Sequence, residues 1–124
     1  MGLTRSTNPY NAVTFHEGSV SAAGTTYSST HDGVGDATAL RLQLNVTAIS
    51  GTLPTLDVTL EDTVDGSNWN TVATFAQKTA TGREMVNLLA ATTPFANQLR
   101  VKIVTGGTTP TATFSVKAAA RWED

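Results

Sequence analysis

The sequence predicts an all-β protein, an antiparallel β-sandwich of about seven or eight strands. Four separate segments alternate apolar and polar residues with a period of two, at residues 40–46, 56–61, 99–103 and 114–122. Successive side chains of a strand point to opposite faces, so each segment has one buried and one exposed side. Threonine and serine supply about a quarter of the chain, and β-branched threonine suits a pleated surface.

Turn residues separate further strands from these four. A weaker alternation at residues 13–15 and 19–28 precedes a glycine-rich and aspartate-rich loop at residues 28–36. Asp65-Gly66 predicts a hairpin between the strand at 55–61 and a strand at 70–77. In that last strand Val72 and Phe75 are apolar on opposite faces, which indicates a β-bulge.

The segment at residues 85–91 is compatible with a short helix or a strand. It is short, has no clear N-cap and is followed by Thr92, Thr93 and Pro94, so a strand or an irregular segment is favoured. No internal repeat is evident. Six to eight short strands at this spacing are typical of a sandwich or barrel, and the connectivity can be immunoglobulin-like or jelly-roll.

The inward positions of the strands form the predicted core. Because the core faces must cover each other, a charge placed at one of them would prevent folding. The predicted core residues are Leu40, Leu42, Leu44, Val46, Leu56, Val58, Leu60, Trp69, Phe75, Leu99, Val101, Ile103, Phe114 and Val116.

The composition narrows the class of protein. The 124 residues fit one domain, with a flexible N-terminal arm at residues 1–12 and the sandwich at 13–124. Cysteine is absent, which excludes disulfides and fits synthesis in a reducing cytoplasm. Neither a secretory leader nor a membrane-spanning run is evident. The net charge is −2 and the eight Lys and Arg residues are scattered along the sequence, so neither nucleic acid nor membrane is expected as a partner.

Catalytic machinery is not expected, and the protein is predicted not to be an enzyme. His16 and His31 are the only side chains that could act as bases at neutral pH, and both lie in the weakly patterned N-terminal third. A surface histidine is the favoured interpretation of each. No catalytic or cofactor-binding residue is assigned.

A local acidic group, Asp57, Glu61, Asp62 and Asp65, could in principle hold a metal ion. Its spacing does not match an EF-hand loop, so a solvated strand face ending in a hairpin is favoured, with no metal and no cofactor. The glycosylation sequon at Asn45 to Thr47 lies inside a predicted strand and is interpreted as structural.

Aromatic side chains offer one further possibility. Trp69, Trp122 and Tyr27 could form exposed platforms on which a sugar stacks. Trp122 continues the core parity of the last strand, however, and a tryptophan that follows a hairpin often caps a sandwich core. A core role is therefore favoured for both tryptophans.

The run from Val46 through Gly51, Pro54 and Asp65-Gly66 to Trp69 resembles small β-sandwich virion proteins of tailed bacteriophages. The resemblance continues through Phe75, residues 99–104 and residues 113–116, and covers roughly residues 39–118. It implies a structural protein of the capsid decoration (cement) type, which lies on the capsid exterior, bridges major capsid protein subunits and often forms a homotrimer. An arm such as residues 1–11 would then dock on the shell or on a sister subunit.

Two alternatives remain open. A tail, connector or baseplate component could have the same fold, and a carbohydrate-binding module could use the exposed aromatic residues. The resemblance transfers no functional residue to this chain, because these virion proteins have no catalytic motif to match.

Overall fold

The computed structural model describes residues 12–33 and 36–121, which contain six strands and no helix. All strand pairs are antiparallel, which confirms the predicted fold class. The strands are β1 (Ala12–Val20), β2 (Gly24–Tyr27), β3 (Ala39–Thr63), β4 (Asn70–Thr74), β5 (Gly82–Leu89) and β6 (Gln98–Arg121).

The longest strands, β3 and β6, form a ribbon that runs through the whole molecule. They have 25 and 24 residues, several times the usual length of about 5–6. Their pairing extends from Ala39 opposite Arg121 to Thr63 opposite Gln98. In both halves of the ribbon alternate side chains are fully buried, for example Leu42 in one half and Val58 in the other. The ribbon therefore bends in the middle and covers its own apolar face.

The bend divides the sheet into two packed layers. The first layer contains β5, residues 39–50 of β3, residues 111–121 of β6, and β1, in that order. The second contains β4, residues 55–63 of β3, residues 98–106 of β6, and β2. Each layer has four strand segments, so the six strands provide the eight segments of a sandwich.

The pairing of these segments identifies the connectivity. The eight segments can be numbered in chain order. The first then pairs with the eighth, the second with the seventh, the third with the sixth and the fourth with the fifth. A long antiparallel hairpin that wraps around itself in this way is a jelly roll. Of the two predicted connectivities, the structure has the jelly roll and not the immunoglobulin-like arrangement.

Two glycine-proline motifs make the bend. Gly51 (φ 116°) and Leu53 (φ 50°) precede Pro54 in β3, and Gly107 (φ 105°) and Thr109 (φ 47°) precede Pro110 in β6. The two motifs touch: a Cβ added to Gly107 would lie 2.7 Å from the Leu53 carbonyl oxygen, and one on Gly51 would lie 2.9 Å from the Pro110 Cα. A side chain fits at neither glycine, so the ribbon bends where its two backbones make closest contact.

The same motifs reveal an internal repeat, contrary to the expectation from sequence. Residues 12–63 and 70–121 each contain three strands, and exchanging the two halves leaves every strand pairing unchanged. At the bends the halves share Gly-Thr-x-Pro-Thr, at residues 51–55 and 107–111. Elsewhere they share only the alternation of apolar residues, which hides the repeat.

The core contains the predicted residues with one exception. Trp69 is half-buried on the surface, whereas the other predicted core side chains are buried. The predicted bulge is present in β4, since Leu60 faces Ala73 and Glu61 faces Thr71, which leaves Val72 as the extra residue. The core also contains Phe15, Ala37, Leu88, Phe95, Ala112, Ala118 and Ala120.

The strand boundaries differ from the prediction in two places. The weak second strand at 19–28 is the end of β1 and the four-residue β2, and the strand predicted at 70–77 ends at Thr74. The ambiguous segment at 85–91 lies largely in β5, as favoured. Residues 1–11 of the predicted N-terminal arm lie outside the described residues. Trp122, at the other end of the chain, also lies outside them.

Replacing Val58 with Asp should abolish folding. Val58 is fully buried in the second layer, and an unpaired carboxylate there would cost about 3–5 kcal/mol, much of the stability of a small domain. The matched control is Thr59→Asp, since Thr59 points outward opposite Lys102. Circular dichroism and thermal melting should show an unfolded V58D and a folded T59D. A V58D protein with unchanged melting would contradict the assigned facing.

Replacing Gly107 with Ala should destabilise the bend more than Gly24→Ala destabilises β2. Both glycines have positive φ, so both variants carry about 1 kcal/mol of backbone strain. Only at Gly107 does the new methyl group meet backbone atoms within 3 Å, whereas at Gly24 nothing lies within 4 Å. Urea unfolding should show that G107A loses about 1–3 kcal/mol more unfolding free energy than Gly24→Ala does. An equal loss of unfolding free energy in G107A and G24A would mean that the two glycine-proline motifs are not in close backbone contact.

Candidate functional site

The two histidines have separate structural partners. The His16 ring stacks on Phe114, with ring centroids 4.2 Å apart, and its Nε2 lies 3.2 Å from the Gly18 carbonyl oxygen. The His31 ring makes an edge contact with Phe15, at 5.1 Å between centroids. Each imidazole thus packs on an aromatic ring of the core and is half-buried, whereas the sequence favoured a plain surface position for both.

The acidic residues that the sequence singles out also have local partners. Asp57 accepts a hydrogen bond from the Gln77 side chain at 3.0 Å, and the Asp62 carboxylate accepts one from the Ala96 backbone N–H at 2.9 Å. Glu61 pairs with Arg100. Within residues 12–33 and 36–121, no three His, Asp or Glu side chains are grouped so that they could hold a metal ion.

Asp65 organises the loop between β3 and β4. Its carboxylate accepts hydrogen bonds from the backbone N–H groups of Ser67 and Asn68, at 2.9 and 2.8 Å, and from the Asn68 side chain at 2.7 Å. The Thr63 hydroxyl accepts a bond from the Gly66 N–H at 2.9 Å. Gly66 has φ 81°, the positive value expected after aspartate in this turn. These bonds hold the pKa of the Asp65 carboxyl well below its usual range, the Asn68 backbone N–H contributing most.

Two of the aromatic residues that the sequence singles out, Tyr27 and Trp69, form one cluster with Arg100 on the outer surface of the second layer. The Arg100 guanidinium lies between two rings, 4.0 Å from the Tyr27 centroid and 4.1 Å from the Trp69 centroid. Its Nε donates to Glu61 Oε1 at 2.9 Å. Trp69 is therefore neither a core residue nor a free stacking platform, because a cation–π contact occupies one of its faces. The predicted core role of Trp69 is wrong for this reason.

The outer surface of the first layer has a different character. The register aligns its outward side chains in rows about 6.6–6.8 Å apart, and each of four adjacent rows contains one cation. The rows are Leu89, Ala39 and Arg121; Asn87, Arg41, Ala119 and Ala12; Met85, Gln43, Lys117 and Thr14; and Arg83, Asn45, Ser115 and Glu17. We call this surface the basic face.

The basic face was missed in the sequence because its cations are far apart along the chain. Arg41 belongs to β3, Arg83 to β5, and Lys117 and Arg121 to β6. The apparent scatter of Lys and Arg was thus misleading, since strand pairing brings four of them together. The outward parity of Arg41 and Lys117 was the available signal. Asn45 of the sequon lies on the same face, half-buried between Arg83 and Ser115.

The part of the chain that the structure describes contains no helix that could span a membrane. No protein-family model matches the sequence, and no curated protein matches it. Comparison of folds does find similar structures, and these are the remaining guide to function.

The phage PBSX exported protein XepA has a TM-score of 0.64 with this chain at 13% identity, over 91% of this chain and 37% of that one. The structure of infectious bursal disease virus, Gx strain, contains a chain that matches with a TM-score of 0.55 at 14% identity, over 89% of this chain and 31% of that one. At these identities the likeness establishes the fold. This chain spans little more than a third of the first and less than a third of the second.

Replacing Asp65 with Asn should lower stability at neutral pH and have a smaller effect in acid. The folded pKa is below the ordinary value of 3.8, so the charged carboxylate stabilises the folded state above that value. This contribution disappears as the pH falls through the folded pKa. Urea midpoints of the wild type and D65N, measured between pH 7 and pH 2, should converge toward low pH. A gap that stays constant would show that the charge of Asp65 does not matter.

Proposed function

We propose that this chain is a non-enzymatic structural component of a bacteriophage virion, and most specifically a capsid decoration (cement) protein. The observation that carries the proposal is the jelly roll, which matches both the phage PBSX exported protein XepA and a chain in the structure of infectious bursal disease virus over about nine tenths of this chain. It agrees with the resemblance to phage virion proteins that residues 39–118 suggest.

The local contacts of the candidate catalytic and ligand-binding residues support a structural role. His16 and His31 pack on core aromatic rings, and Asp65 accepts the hydrogen bonds that order a loop. These residues therefore serve the fold. The outer surface is therefore the part of the chain that is available for function. Proteins bind their neighbours in an assembly through such surfaces.

In the proposed mechanism each subunit lies on the capsid exterior and contacts more than one major capsid protein subunit. Separating those subunits then costs the sum of the contacts to the bridging protein. A homotrimer repeats every contact three times, and linked contacts of modest strength combine into firm attachment.

The virion role has an alternative within it, a tail, connector or baseplate component with the same fold. The carbohydrate-binding alternative is less well supported, since Arg100 already covers one face of both Tyr27 and Trp69. A sugar that stacks there would have to displace the guanidinium or use the opposite ring faces.

Copy number on the particle tests the proposal. Particles of the phage that encodes this chain should be purified on a density gradient, and the chain should be quantified against the major capsid protein by peptide mass spectrometry. We expect the two proteins in comparable numbers, and we expect an antibody against the chain to label the shell of intact particles. A count that is a small fraction of the capsid protein, with label on the tail, would favour the alternative. Absence from purified particles would refute a virion role.

A further inference from the structure

Two arginines of the basic face have no charged or hydrogen-bonding side-chain partner among the residues that the structure describes. Arg41 and Arg83 are exposed, and no ion pair or hydrogen bond joins either guanidinium to a described residue. Lys117, between them, lies 3.3 Å from Glu17. At the border of the face Asp36 lines a depression together with Arg121. Within residues 12–33 and 36–121, the central part of the face thus carries positive charge that no acidic side chain pairs with.

The other layer provides the contrast. Its outer surface carries Arg100 and Lys102 together with Asp57 and Glu61, so its charges balance, and Arg100 is paired with Glu61. The whole chain has a net charge of −2. The composition of a chain that is negative overall does not predict a positive face. Such a face attracts an acidic partner to one side of the molecule.

Apolar side chains lie among these cations. Met85 and Leu89 are 39% and 56% exposed, beside Gln43 and Ala39 in their rows. Small residues such as Thr14 and Ala119 leave a shallow depression of about 490 Å³ between β1 and the Met85 side chain. Methionine and arginine are enriched in protein–protein interfaces, and both are exposed on this face.

We infer that the basic face is the docking surface of this protein, and that it binds an acidic surface of the capsid shell; the inference rests on the proposed virion role. A protein partner is favoured over nucleic acid because apolar and amide side chains separate the cations, which suits mixed contacts better than a line of phosphates. Four rows and four strands span roughly 500 Å² in plan. This is below the about 800 Å² that each partner buries in a standard interface.

Charge-reversal variants on particles test the inference. Particles that lack this protein, from the encoding phage with the gene deleted, are mixed with purified wild type, Arg41→Glu, Arg83→Glu and the double variant. The matched control is Lys102→Glu, the same charge change on the outer surface of the second layer. Thermal melts first establish that all variants are folded, as expected because Arg41 and Arg83 are exposed and Lys102 is a half-buried, outward-facing residue. Binding is measured by cosedimentation at 0.1 and 0.5 M NaCl.

We expect wild type and K102E to bind alike, each arginine variant to bind about tenfold more weakly, and the wild-type affinity to fall at high salt. If wild type binds but R41E and R83E bind equally well, the basic face is not the docking surface, although the virion role stands. If wild type binds no particles at all, the proposed function itself fails, and this inference with it.

A second arm separates nucleic acid from protein. Electrophoretic mobility shift with duplex DNA should show no shift for the wild type at concentrations that saturate the particles. A DNA shift that R41E abolishes, with particle binding unchanged, would overturn the inference and assign the basic face to nucleic acid.

Discussion

The antiparallel pairing of β3 with β6 is the constraint on which the rest of the structure depends. Every other strand pairs with one of these two, and among the described residues none of the remaining four strands pairs with another. The two layers exist because this ribbon bends, and it bends where Gly51 and Gly107 let the two backbones come within contact distance. Burial of the inner face then stabilises the bent form, since each half of the ribbon covers apolar side chains of the other.

This arrangement restricts function to outward positions. Along each strand of a two-layer fold, alternate side chains are committed to the core, so a surface can change its chemistry without changing the fold. The two outer surfaces differ in this way. One satisfies its charges internally, with Arg100 held by Glu61 and two aromatic rings. The other leaves Arg41 and Arg83 without a charged partner among the described residues, so both guanidinium groups are available to an external acidic partner.

The features that could be predicted from the sequence are those that the period-two alternation of apolar residues determines. It identified the class, most of the core and the β4 bulge, because a strand with one buried face has a distinct local pattern. It did not show the bend, because Gly51 to Pro54 has the composition of an ordinary loop, while the structure keeps both strands paired on either side of it. It also misassigned Trp69, whose partner Arg100 is distant in sequence and adjacent only through the fold.

The basic face shows why the candidate site was harder to predict than the fold. A core position can be recognised from the period-two alternation of its own strand. A charged surface depends on the register between strands that are far apart in the chain.

The modest area of the basic face has a consequence for assembly. A single subunit holding a partner through a surface smaller than a standard interface binds weakly, but repetition across a symmetric particle multiplies the contacts without enlarging any of them. In the proposed virion role, a small jelly roll with one positively charged outer face suits that use, because linked copies would attach firmly while a lone subunit would dissociate readily.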